Sequence, residues 1–167
     1  MRKVAIGDVG NDRSPPGVHS VRRPVSDAIG TDHFAMNYFE LEPGESFSGG
    51  LHAHHDQEEV FYVQSREATF GVADESGSSA TESVSVGAGE VVRVPPGQFR
   101  EGYNEAASDE PVVGFAFGAP SSKHDRGEIE SVLHCHDCGE ETDHGLALTD
   151  TGSFEFTCGE CGNVVTF

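Results

Sequence analysis

The sequence predicts an all-β chain: a sandwich or barrel of short strands, followed by a small module stapled by cysteines. Three observations carry that prediction. From about residue 33, short apolar alternations recur between turns rich in glycine and proline. No segment carries a convincing long helical period. The four cysteines of the chain fall as two close pairs, Cys135-His-Asp-Cys138 and Cys158-Gly-Glu-Cys161.

Taken in order, residues 1–22 hold Gly7, Gly10, Pro15, Pro16 and Gly17 among mixed polar residues. They read as an irregular arm with one short strand over Lys3–Ile6. A barrel is expected over residues 23–120. Its candidate strands are Phe34–Leu41, Phe47–His54, Glu59–Val63, Ala68–Val72, Glu82–Val86, Glu90–Val94 and Val112–Phe117. Turn signals separate them at Pro43-Gly44, Gly49-Gly50, Glu75-Ser-Gly77, Gly87-Ala-Gly89 and Pro95-Pro-Gly97. Residues 121–132 are polar, with Lys123, Asp125, Arg126, Glu128 and Glu130, and read as a linker. The cysteine module occupies residues 133–167. No internal repeat is visible.

The 167 residues give room for one ordinary domain and one small one. Against 29 acidic side chains stand 10 basic ones, for a net charge of −19. Such a surface repels nucleic acid and anionic membrane, so neither is an expected partner. The acids are spread along the chain, which argues for an acid-coated globular surface over a disordered tail. Strong acidity with only Lys3 and Lys123 as lysines resembles proteins of salt-loving cytoplasms, where salt screens self-repulsion. An ordinary acidic protein is the alternative. No apolar run reaches membrane-spanning length, and nothing at the N-terminus looks like a signal peptide. The expectation is a soluble, cytoplasmic protein.

Cys135, Cys138, Cys158 and Cys161 have the spacing of a structural zinc site, with nineteen residues between the pairs. Tetrahedral zinc takes four thiolates, and each C-x-x-C turn presents two. Gly139 and Gly162 follow the second cysteine of each pair, where a tight turn needs a residue tolerant of positive φ. The segment resembles a zinc ribbon. A module this small cannot bury a useful core, so its folding is expected to depend on the metal. Chelation should then melt the chain from about residue 133 and spare the barrel. Two disulfides could use the same cysteines, but the lack of secretory features argues against them. A redox C-x-x-C is disfavoured because no βαβ pattern surrounds either pair. His134 and His136 flank Cys135 and could compete as ligands. A closed four-thiolate site has no open coordination position, so chemistry is expected elsewhere.

The barrel region offers a second constellation. In His52-Ala-His54, alternation puts both imidazoles on one face of a strand. A hairpin through His55-Asp56-Gln57 returns Glu59 to within reach of both. Two histidines and a carboxylate are a donor set for a first-row divalent metal with open positions. The plain alternative is a solvated hairpin with no ligand. Downstream stand Gly89, Pro95, Gly97, Arg100 and Asn104.

Together these stretches resemble the two motifs of the cupin superfamily, over about Val25 to Ala119. The first motif runs glycine, five residues, H-x-H, three or four residues, glutamate, six residues, glycine. The second runs glycine, five residues, P-x-G, two residues, histidine, three residues, asparagine. The resemblance implies a jelly-roll β-barrel with a pocket in its mouth. It places His52, His54 and Glu59 at metal-ligand positions, for iron, manganese or nickel. It also implies a homodimer. Three positions depart from the family pattern. Ser46 and Arg66 stand where the first motif has glycines, which should alter only turns. Arg100 stands where the second motif has its histidine ligand. A guanidinium cannot ligate a metal. It can pair with Glu59 in a metal-free pocket, or offer a planar fork to a carboxylate or phosphate on a ligand.

Three functions follow as expectations. The first is a small-molecule binding protein whose Arg100 receives an anionic ligand. The second is a metal-dependent enzyme of dioxygenase or isomerase type, with a two-His-one-carboxylate centre. The third is an interaction protein in which the ribbon docks a partner. His19, His33, His124 and His144 read as surface residues, His55 as a solvent-facing turn residue, and Phe61 and Tyr62 as wall packing.

Overall fold

The computed structural model describes residues 1–13, 17–73, 82–121, 129–149 and 154–166. After a 3-10 turn at Ile6–Asp8, the chain forms β1 (Val21–Pro24), the short helix α1 (Val25–Ile29) and β2 (Ala35–Leu41). It continues through β3 (His52–His54), β4 (Glu58–Ser65), β5 (Glu67–Val72), β6 (Glu82–Gly87) and β7 (Val91–Val94). Then come β8 (Arg100–Tyr103), β9 (Val112–Ala119), β10 (Ile129–Cys135), β11 (Glu140–Leu148), β12 (Phe154–Cys158) and β13 (Val164–Thr166). No helix among the described residues is long and apolar enough to cross a membrane.

The strands make two sheets. One has the order β1-β2-β9-β4-β7, the other β13-β12-β11-β10-β3-β8-β5-β6. All strand pairs are antiparallel. Alternation assigns the faces. In β4, Phe61 and Val63 are buried while Val60 and Tyr62, which alternate with them, are only partly so. The inward residues of both sheets meet in a core of Phe39, Leu41, Phe47, Phe61, Val63, Ala68, Phe70, Val86, Val94 and Val112. Phe47 is its hub, with ring centroids 5.1 Å from Phe39, 5.3 Å from Phe61 and 5.8 Å from Phe70. Two glycines make room for these rings. A Cβ on Gly102 would lie 2.5 Å from Phe70 Cε1, and one on Gly114 would lie 3.2 Å from Phe47 Cζ.

The all-β double-sheet prediction matches this architecture, and most strands lie where alternation places them. Lys3–Ile6 is not a strand. Of Phe47–His54 only His52–His54 is one, since the chain around Gly49-Gly50 bends. Val21 and Arg22, read as the end of the arm, open β1. The Glu75–Gly77 turn, His124 and residues 122–128 of the expected linker lie outside the described residues. Ile129–Val132, also assigned to the linker, belong to β10. That strand pairs with β3, so the cysteine-bearing strands extend the barrel's own sheet. At the β4–β5 turn, Arg66 adopts φ 66°, in the left-handed region. The family motif's glycine falls at this position, so the substitution keeps the turn at the cost of backbone strain. Arg66 also pairs with Glu110 across the surface.

Candidate functional site

The inward face of β3, β8 and β4 gathers the polar side chains singled out in the sequence. His52 and Arg100 are cross-strand partners in β3 and β8. The imidazoles of His52 and His54 lie with centroids 5.2 Å apart. Glu59 comes from β4 in the facing sheet. His54 Nε2 is 3.9 Å from Glu59 Oε1, and the other Glu59 oxygen accepts a hydrogen bond from Arg100 Nη2. Arg100 Nη1 donates to the His52 carbonyl at 2.6 Å. Arg100 is only 2 % exposed and is the largest fully buried side chain among the described residues. Its Nε–H has no partner there. A buried donor left unmade costs about 1–3 kcal/mol, and more on a charged group.

The local structure follows from short strands held on both sides. The β3–β4 connection is tight: Gly97 N–H donates to the His54 carbonyl at 2.8 Å. Gln57 is buried and donates to the Pro120 carbonyl at 2.8 Å. Gly118 leaves space for it, because a Cβ there would meet the Gln57 amide at 2.5–2.6 Å. Asn104 is buried and donates to the carbonyls of Leu41 and Glu110. It pins the loop after β8 rather than entering the site.

The electrostatics follow from burial. His52 is held well below the ordinary histidine range, first by desolvation, then by the Arg100 charge and by His54. Its Nδ1 lies 2.8 Å from the Gly50 carbonyl, so Nδ1 carries the proton of the neutral ring. Arg100 and Glu59 cancel in formal charge.

The donor atoms of His52, His54 and Glu59 do not gather around one point. Among the described residues, the one set of His, Cys, Asp or Glu donors that converges within 4.8 Å is Cys135, Cys138, Cys158 and Cys161. Their Sγ separations include 3.6 Å for Cys135–Cys161 and 3.9 Å for Cys138–Cys158. A tetrahedron with metal–sulfur bonds of about 2.3 Å has edges of about 3.8 Å, so the cluster fits a four-thiolate ion. Gly139 and Gly162 have φ 77° and 74°, and their N–H groups close the two turns onto the Cys135 and Cys158 carbonyls. The Thr142 hydroxyl, 3.2 Å from Cys158 Sγ, is the main influence drawing that thiol down to about 6.

Two histidines read as surface residues are buried. His19 packs edge-on against Phe39, with Nδ1 3.3 Å from the Ser46 carbonyl. His144 lies in β11 with Nδ1 2.9 Å from the Thr142 carbonyl. His33 is exposed. His55 is exposed too, but its Nε2 is 3.0 Å from Glu130 of β10. Phe61 belongs to the core; Tyr62 faces outward and stacks on Phe115. Ile129 and Ser131, cross-strand partners of His54 and His52, were not singled out in the sequence. Their only signal was the apolar alternation Ile129, Leu133 inside a stretch dominated by charge.

Residues 37–117 match the family described as "Cupin domain". No curated protein matches the chain in sequence. Among solved structures, it is similar to a sugar phosphate isomerase of the cupin superfamily from Silicibacter pomeroyi. That likeness has 16 % identity and a TM-score of 0.61, over 99 % of this chain and 92 % of the other. It is similar to the polyketide cyclase RemF from Streptomyces resistomycificus at 21 % identity and a TM-score of 0.62, over 82 % and 89 %. A third likeness is to oxalate decarboxylase from Bacillus subtilis, at 21 % identity and a TM-score of 0.56, over 71 % of this chain and 29 % of that one. Identities this low carry the fold and no particular reaction.

Proposed function

Residues 37–117 form a cupin domain followed by a zinc-ribbon-like module, and on that premise we propose that the barrel binds a small molecule with a carboxylate or phosphate group, with Arg100 as its fixed positive charge. The observation behind this reading is the buried guanidinium with an unspent Nε–H, placed where the family's second motif has a metal-binding histidine. A planar fork suits two oxygens of one anion. Glu59 already holds part of the fork, so an incoming anion competes with it or accepts from Nε and the remaining N–H groups. The four cysteines hold a structural zinc, which leaves no open coordination position for chemistry.

Calorimetric titration of the full-length, zinc-loaded chain with phosphate, succinate and related anions tests the reading. At least one anion should saturate at one per chain and bind about tenfold or more weakly to Arg100→Lys, which keeps the charge but loses the fork. Equal binding by both forms, or a manganese or nickel ion held by His52 and His54 in wild type, would overturn it.

A second reading is an enzyme that moves a proton, and one geometric observation favours it. His54 Nε2 lies 3.9 Å from Glu59 Oε1, beside the guanidinium, so a base and its orienting carboxylate would flank a bound anion. The similar Silicibacter pomeroyi protein is described as a sugar phosphate isomerase, a class whose substrates carry the anionic group this site would grip. Turnover of a sugar phosphate that His54→Gln abolishes while phosphate still binds would establish it.

A further inference from the structure

We propose that metal binding by the four cysteines controls the order of the barrel's site, because one strand, β10, serves both. Cys135 is the last residue of β10. The first residues of the same strand pair with β3: Ile129 with His54, Glu130 with Ala53, Ser131 with His52. Beyond the named strand, Val132 N–H donates to the Leu51 carbonyl at 3.0 Å. On its other side β3 has a single registered pair, His52 with Arg100. With the bond from Gly97 N–H to the His54 carbonyl, that side holds β3 at two points, while the longer ladder, three registered pairs, lies on the side of β10.

Side chains of registered antiparallel partners share a face. One row therefore runs across five strands: Arg100, His52, Ser131, His144, Cys158. Ile129 and Ser131 stand beside His54 and His52 on the site's face, so the module supplies part of the site's wall. On the opposite face, Val132 packs with Leu51 against Ala53, Ala73 and Phe99. An ion pair between Glu130 and His55 adds to the join.

The module cannot hold β10 in place by burial. Among its described residues from 133 onward, the buried apolar side chains are Cys135 and Cys158 alone. Four converging thiols without a metal leave such a module with too little burial to offset its ordering entropy. Loss of the metal therefore loosens β10, and β3 with it. The His52 carbonyl that fixes Arg100 Nη1 then loses its position. The expectation that chelation stops at about residue 133 changes accordingly: its effect should reach residues 51–54. Spatial continuity alone is not coupling. What carries it here is one element with two states, paired and unpaired, that both sites bias. Coupling of this kind is reciprocal, so an anion at Arg100 would tighten metal binding by the factor by which metal tightens the anion.

Hydrogen exchange on the full-length chain tests the proposal without any ligand. With zinc bound, amides of residues 51–54 and 100–103 should be protected. Removal of zinc with EDTA should speed their exchange at least tenfold and leave β4 and β9 unchanged. In antiparallel pairs, N–H groups alternate between neighbouring strands. Since Val132 N–H faces β3, Glu130 N–H does too, so Glu130→Pro cuts the join while sparing donors aimed at β11. This variant should bind one zinc and still exchange rapidly at 51–54. Unchanged protection at 51–54 after zinc removal from wild type would overturn the proposal, and that measurement decides the matter even if Glu130→Pro fails to fold. The consequence for ligand binding rests on the reading of Arg100 above. With phosphate as the probe, zinc removal should weaken binding about tenfold. If neither phosphate nor any of the other anions titrated above binds either form, the Arg100 reading fails while the exchange result still decides the coupling.

Discussion

The barrel and the cysteine module are built of the same kind of strand, yet different physics holds each together. The barrel seals ten buried apolar side chains between its two sheets, four of them phenylalanines. The module's four strands extend one of those sheets but bury only two cysteines among their described apolar side chains. The first can fold by excluding water from a core. The second must be closed by what its thiols bind. The comparison teaches that sheet continuity is not a shared core: hydrogen bonds run from β6 to β13, while the hydrophobic energy stops near β10. The molecule therefore has a stable part and a conditional part, joined at β3.

The most severe break of this comparison is Cys158→Ser. It should cost the bound zinc entirely, abolish exchange protection from β11 onward and speed exchange at residues 51–54 and 100–103, with β4 and β9 still protected. The three tyrosines, Tyr38, Tyr62 and Tyr103, all lie in barrel strands, and the chain has no tryptophan. Tyrosine fluorescence thus reports barrel strands, with Tyr103 in the segment coupled to the module, and metal content per chain reports the module. A folded, zinc-free module with four free thiols would show that burial sustains it after all.

Next in size is Arg100→Met. Removing one partner of a buried ion pair strands the other charge and costs about 3–5 kcal/mol. Glu59 keeps 14 % of its side chain exposed, so the lower end of that range is expected. Arg100→Met combined with Glu59→Met should recover most of the loss, since a pair replaced by apolar groups is often neutral. In Arg100→His the site should instead gain affinity for nickel or manganese, on the order of tenfold, by losing a positive charge and gaining a donor. Denaturant unfolding followed by tyrosine fluorescence measures the first two, and calorimetry the third. A smaller loss, about 1–3 kcal/mol, is expected for Gly102→Ala, whose Cβ would overlap the Phe70 ring at 2.5 Å. Full stability there would mean the core yields more readily than its packing implies.

Much of this could be read from the sequence because two periodicities were intact. Alternation in Glu59, Phe61, Val63 and in His52, His54 gave the strand faces, and the C-x-x-C spacing gave the cysteine cluster. The motif register set Arg100 at a ligand position, and the side chain is buried. What stayed hidden was long-range pairing. Ile129-Glu-Ser-Val carries too few apolar residues to announce a strand, and its order comes from β3 and β11 on either side. Strand β8 was not anticipated either: Arg100-Glu-Gly-Tyr carries too few apolar residues to announce a strand, yet Arg100 fills the site and Gly102 makes way for Phe70. His19 and His144 seemed to be surface residues because neither stands in an apolar run. Long-range contacts with Phe39 and Ser46 enclose His19, while His144, whose Nδ1 meets the Thr142 carbonyl two residues away, is buried between its cross-strand partners Ser131 and Cys158.

The smallest expected effect sharpens the comparison through pH. His52 and His19 are both held below the ordinary histidine value of about 6.5, each first by burial. Each is neutral when folded and takes a proton more readily when unfolded. The unfolded chain therefore binds more protons as pH falls through about 6.5, and stability falls with it. The contribution is complete above that pH and declines below it, by at most about 1.4 kcal/mol per pH unit for each histidine. Acid would also protonate the thiolates of a metal-loaded module and release its ion, so a signal from the whole chain would mix the two parts. Tyrosine fluorescence recorded on zinc-loaded and EDTA-treated protein side by side separates the two. The barrel's melting temperature should fall between pH 7 and pH 5, and the slope should be shallower in His52→Gln and in His19→Gln than in wild type. Equal slopes in all three proteins would mean that these buried imidazoles accept protons in place, and that the acid sensitivity of the barrel arises elsewhere.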